Sequence, residues 1–94
     1  MKNIHKPILD IMFHYASQLE NDDVLNILEK KSIESKTEAE CILQFLDNLC
    51  EKIAEDSINK IVILNQPIHT TDAEKVCNII EDYIEELGYG DLLD

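Results

Sequence analysis

The chain has no tryptophan and no arginine, and only two glycines and two prolines in 94 residues. So few turn formers exclude a sandwich or barrel with many tight turns, and point to a few long elements. No stretch approaches the roughly 18 consecutive apolar residues that a membrane span needs. Residues 8–19, which follow Pro7, are interrupted by Asp10 and His14, a poor signal-peptide core. The three cysteines, Cys41, Cys50 and Cys77, are odd in number and follow no export signal, so reduced thiols in the cytoplasm are expected, not a disulfide framework.

Short-spaced ligand pairs are also missing. His5, His14, His69 and the cysteines form no Cys-x-x-Cys or His-x-x-x-His pair of the kind zinc sites show, and no Asp-x-Asp-x-Asp-Gly calcium loop occurs. Neither a metal nor a cofactor is expected. A Cys50–His69 nucleophile pair has no surrounding motif to recommend it. Gly88-Tyr89-Gly90 ends a helix instead of opening one, the wrong polarity for cradling phosphate. No catalytic residue is assigned, and the chain is not expected to be an enzyme.

What remains is apolar periodicity and negative charge. A 45% hydrophobic content is enough for one modest core, so residues 1–94 are expected to form a single helical domain. Pro7 suits a first helical turn, and Ile8, Met12, Tyr15, Ala16 and Leu19 recur at helical spacing, placing helix one over about residues 7–20. Asn21 can cap a second helix, with Asp22 and Asp23 at its positive end and Lys30 and Lys31 near its exit. Thr37 and Glu40 have capping-box spacing ahead of Ile42, Leu43, Leu46, Leu49, Cys50 and Ile53.

Residues 57–64 are ambiguous. Ile61 to Leu64 is a β-branched run that could be a strand, but no second convincing strand offers itself. Helix is therefore preferred, and a strand would imply pairing with another chain. Residues 65–70 read as a loop. Thr71 and Glu74 repeat the capping box before Val76, Ile79, Ile80, Tyr83, Ile84 and Leu87. Gly88 fits the left-handed position past a helix end, which would set Tyr89 against Ile84. The expected architecture is an all-α, compact bundle of four helices, or five if the 57–64 segment is separate.

The net charge of −12 is unevenly placed: residues 1–36 carry −1 and residues 37–94 carry −11. From residue 81 onward there are six acids and no base. Glu40, Gln44, Asp47, Glu51 and Glu55 form a stripe on helix three, and Glu81, Asp82, Glu85 and Glu86 cluster on helix four. Like-charge neighbours such as Glu81–Glu85 and Asp82–Glu86 each cost about 0.2–0.5 kcal/mol of helix stability. A chain selected only for stability would place lysines among them. One reading is a solvated face that was never balanced. The other is a docking surface for a basic protein, at Glu81, Asp82, Glu85, Glu86 and Asp91, with Tyr89 as aromatic anchor. Direct contact with nucleic acid or an anionic membrane is disfavoured by the same charge. Apolar Leu92 and Leu93 could serve a homodimer or a partner.

In length, acidity, helicity and lack of a catalytic motif, and in its tail Ile-Glu-Glu-Leu-Gly-Tyr-Gly-Asp-Leu-Leu-Asp (84–94), the chain resembles the small immunity proteins of bacterial contact-dependent growth inhibition. That resemblance implies binding and neutralising a cognate toxin C-terminal domain, most simply a basic nuclease. A helical adaptor, or a phage-type inhibitor or regulatory module acting on another basic protein, stays open. Asp56-Ser57-Ile58 also resembles the Asp-Ser-Leu-like motif of acyl carrier proteins, which are small acidic four-helix domains. Their serine follows a long loop and opens a helix, whereas Asp56 here follows a helix directly.

Overall fold

A computed structural model describes residues 3–93. Among them the chain runs α1 (Lys6–Gln18), α2 (Asp22–Glu29), α3 (Lys36–Ile58), β1 (Val62–Ile63), β2 (Gln66–Pro67), α4 (Thr70–Glu86) and a closing 3₁₀ turn (Gly90–Leu93). The expected all-α bundle of four helices is the observed architecture, with one two-stranded hairpin added. No helix among the described residues is long and apolar enough to cross a membrane.

The longest helix, α3, is the hub, and α1, α2 and α4 all pack on it. Its buried line is Ala39, Ile42, Phe45, Leu46, Leu49, Ile53 and Asp56, at helical spacing throughout. Facing it are Ile8, Leu9, Met12, Tyr15 and Ala16 of α1, Val24, Ile27 and Leu28 of α2, and Val76, Ile80, Tyr83 and Ile84 of α4. Leu43 and Cys50, expected on the core face, lie half-buried at its margin, while Phe45 is fully inside. Leu92, read from sequence as an exposed position, packs against the core and is half-buried, as is Leu93.

Two buried tyrosine hydroxyls tie the helices together. Tyr15 donates to Asp56 Oδ2 at 2.9 Å, linking α1 to the end of α3. Tyr83 accepts the backbone N–H of Ile33 at 3.3 Å, linking α4 to the α2–α3 connection. The N-terminal segment is held there too, through Ile4 N–H donating to the Lys31 carbonyl at 2.8 Å.

Asn21 caps α2 as expected, its side-chain oxygen accepting from the Val24 N–H at 3.2 Å. Both expected caps are displaced by two residues toward the N-terminus. At α3 the cap is Ser35, not Thr37: its hydroxyl accepts the Glu38 N–H at 3.2 Å, and Glu38 accepts the Glu34 N–H at 2.9 Å. At α4 the cap is His69, not Thr71: Asp72 accepts the His69 N–H at 2.9 Å. Each position also has an acid three residues on, and starting there gives the helix two more backbone hydrogen bonds.

The helices end by one device. Glu20, Lys31, Lys60 and Gly88 each follow a C-cap and adopt φ of +54°, +64°, +56° and +91°. At three of these ends the next N–H reaches back to the helix, from Asn21 to Ala16, Ile61 to Asp56 and Tyr89 to Ile84. This is the Schellman closure expected at Gly88, used also where no glycine is present.

The expectation of helix across 57–64 is corrected. Lys60 turns left-handed and closes α3 after Ile58, so the β-branched run emerges extended. Val62 pairs with Pro67 and Ile63 with Gln66, antiparallel and within the same chain, so no second chain is needed to complete the ladder. The turn residues Leu64 and Asn65 both have positive φ, +53° and +67°, the signature of a tight hairpin turn. Ile63 and Ile68 anchor the hairpin in the core, whereas Ile58, Val62 and Leu64 are exposed.

Left-handed backbone at a non-glycine residue costs about 1–2 kcal/mol, of which about 0.4–1 kcal/mol would be lost again to the looser unfolded chain on substitution by glycine. Lys60→Gly or Lys31→Gly should therefore gain about 0.5–1 kcal/mol, and Gly88→Ala should lose about 1 kcal/mol, read from urea unfolding midpoints.

Tyr15→Phe leaves the Asp56 carboxylate buried without this donor, and should cost about 1–3 kcal/mol, most of it recovered in Tyr15→Phe/Asp56→Leu. Burial, and next the hydrogen bond to Asp56, hold the Tyr15 hydroxyl well above its ordinary pKa of 10.0. A raised pKa favours the protonated form in the fold. The resulting stability is complete below about pH 10 and falls above it. Alkaline titration of unfolding should show that loss in the native chain and not in Tyr15→Phe.

Candidate functional site

The acids of α4 are set by its amphipathic period. With Val76, Ile80, Tyr83 and Ile84 turned into the core, Glu81, Asp82, Glu85 and Glu86 are exposed. They divide into two like-charged i,i+4 pairs, Glu81–Glu85 and Asp82–Glu86, about 100° apart around the helix axis. Asp82 and Glu86 border a groove of about 320 Å³ between α4 and the N-terminal segment. Its other lining residues are Asn3, Ile4, His5, Ile79 and Tyr83, so carboxylates rim a partly apolar floor. Glu81 faces α3: it and Asp47 both raise the pKa of the Cys77 thiol through their charge. Asp47 of the α3 stripe and Glu81 of the α4 cluster thus belong to one face.

The remaining site residues, Asp91 and Tyr89, also take part in the fold. Asp91 is exposed but paired, Lys36 Nζ lying 2.8 Å from its carboxylate, so the 3₁₀ turn is linked to the first residue of α3. The hydrogen bond from Lys36 holds the Asp91 carboxyl below its usual range. Tyr89 is half-buried and packed against the core, and its N–H closes α4 on the Ile84 carbonyl at 3.1 Å. As an aromatic anchor it offers a partner only part of its ring. Asp94 lies outside the described residues.

Among the described residues Lys30, Lys36 and Lys52 pair with other acids. Lys30 bonds Glu38 and lies 3.7 Å from Glu34, while Lys52 stands 3.9 Å from Glu55. Among the described residues no ion pair reaches Glu81, Asp82 or Glu85.

Other candidate chemistry falls out as follows. Among the described residues no three His, Cys, Asp or Glu side chains converge as a metal would need. His14 stands edge-on to Tyr15, with ring centroids 5.1 Å apart. Ser57 lies in the last turn of α3 and does not open a helix, and Asp56 beside it is buried against Tyr15. Cys50 meets Cys77, the two sulfurs lying 3.1 Å apart across the α3–α4 contact. Burial, and then the hydrogen bond with Cys50, push the Cys77 thiol up to about 12. These cysteines are 27 positions apart, and only the return of α4 along α3 brings them together. No spacing rule reports that, so sequence reasoning missed the pair. It missed the groove beside Asn3–His5 for the same reason.

Compared with known proteins, the chain matches no family model, no curated protein and no solved structure.

Glu85 repels Glu81 and stands near the negative end of the α4 dipole. Glu85→Lys should therefore stabilise the isolated protein by about 0.3–1 kcal/mol, and added salt should reduce that gain. Urea unfolding at two ionic strengths checks both.

Proposed function

We propose that this chain is an immunity-type inhibitor that binds and neutralises a basic, nuclease-type toxin domain through the acidic face of α4. The observation that carries the reading is the exposure of Glu81, Asp82 and Glu85 with no ion-pair partner among the described residues, while Lys30, Lys36 and Lys52 pair with other acids. Such carboxylates cost the free protein stability, and a cationic surface offsets that cost. A nuclease must present cations to bind phosphates, so a line of carboxylates can occupy the same ground. The groove bordered by Asp82 and Glu86 adds an apolar floor on which the stem of a lysine or arginine can lie while its charge meets the rim. On this reading Asp91 and Tyr89 support the face: Asp91 ties down the C-terminal turn, and Tyr89 closes α4.

The test begins with the gene order expected of an immunity protein, directly after a large exported toxin. Co-expression should rescue cells from that toxin's C-terminal domain. Titration calorimetry should give a complex whose affinity falls steeply with salt. Glu81→Lys/Asp82→Lys/Glu85→Lys should weaken binding at least about 100-fold with the far-ultraviolet helical signal unchanged. Unchanged affinity across that series would show the face to be solvated surface only. Capture of a basic partner that is not a toxin would move the protein to the adaptor or phage-type class.

A further inference from the structure

The Cys50–Cys77 contact is independent of the docking face's partner and carries its own chemistry. Cys50 lies on α3 and Cys77 on α4, and their sulfurs stand 3.1 Å apart. A disulfide closes that distance to about 2.05 Å, so roughly 1 Å of side-chain motion separates contact from bond. Both residues are half-buried, and both line a surface depression of about 490 Å³ with Ala73, Glu74 and Asn78. A small molecule can therefore reach the sulfurs without unfolding the bundle. The third cysteine, Cys41, lines a different depression with Asp23, Asn26, Ile27, Thr37 and Glu38, and supplies an internal control.

We propose that Cys50 and Cys77 are a redox-modification site, oxidised by a low-molecular-weight disulfide such as oxidised glutathione to an intramolecular disulfide that staples α3 to α4. In the first step the thiolate of one cysteine attacks a sulfur of oxidised glutathione. The glutathione S–S bond breaks, one glutathione thiolate leaves, and a mixed disulfide forms. In the second step the neighbouring protein sulfur, already in contact, attacks the protein sulfur of that mixed disulfide. It expels the second glutathione as thiolate. Two protein S–H bonds become one S–S bond. The oxidant's disulfide is reduced to two thiols, which carry away the two protons. Contact between the sulfurs makes the second step intramolecular and fast, so the mixed disulfide does not accumulate.

The experiment uses the full chain with excess oxidised glutathione, followed by alkylation under denaturing conditions and intact mass measurement. The alkylatable thiols should fall from three to one, and a digest should show Cys50 linked to Cys77. Cys41→Ser should still form the link, and a dithiol reductant should reverse it. Cys50→Ser and Cys77→Ser should stop at a glutathione adduct. The oxidised protein should melt about 5–15 °C higher than the reduced one. Three alkylatable thiols after treatment, a persistent glutathione adduct on Cys50 or Cys77 of the native chain, a link through Cys41, or a lowered melting temperature would each overturn the proposal.

Discussion

Burial of one stripe on α3 is the constraint on which the rest of the structure depends. Ala39, Ile42, Phe45, Leu46, Leu49 and Ile53 form a line along a 23-residue helix, too long for any one neighbour to cover. Three other helices share it. The stripe ends on a carboxylate, Asp56, which would be costly inside the bundle without a donor. Tyr15 supplies that donor from α1 and so fixes the position of one helix end against another. Packing alone tolerates sliding; a single buried hydrogen bond between two specific atoms does not.

The same chain has little with which to stop its helices. Two glycines cannot serve four helix ends and a hairpin turn, so left-handed backbone falls on Glu20, Lys31, Lys60, Leu64 and Asn65. This explains where the sequence was legible. Most of the apolar positions of α1, α3 and α4 followed from 3.6-residue periodicity, because burial acts on every turn at once, though Phe45 was missed and Leu19 is exposed. Their boundaries did not. At α3, Ser35 and Thr37 are both competent caps with an acid three residues later, and the choice is settled by two additional backbone hydrogen bonds. The hairpin was hidden for a further reason. Leu64 is not a turn former, and Gln66-Pro67 carries no strand signal, yet Val62 and Ile63 need only two residues of partner.

The acidic face was half legible. Exposure of Glu81, Asp82, Glu85 and Glu86 follows from the period of α4, and the fold bears that out residue by residue. The pairing of Asp91 with Lys36 does not follow from any local pattern, since 55 positions separate them. Nor does the partial burial of Tyr89, which depends on the Schellman closure turning the chain back over α4. In both cases a residue chosen for its chemistry is used by the fold to hold the face's edge.

Asp47 and Glu81 act on two things at once. Their field attracts cations at long range and disfavours the thiolate of Cys77 at short range, and both effects have the same sign and source. Burial does most to hold the Cys77 thiol protonated, its hydrogen bond with Cys50 comes next, and the two carboxylates add to both. A cation placed against Asp47 or Glu81 opposes that field and favours the thiolate.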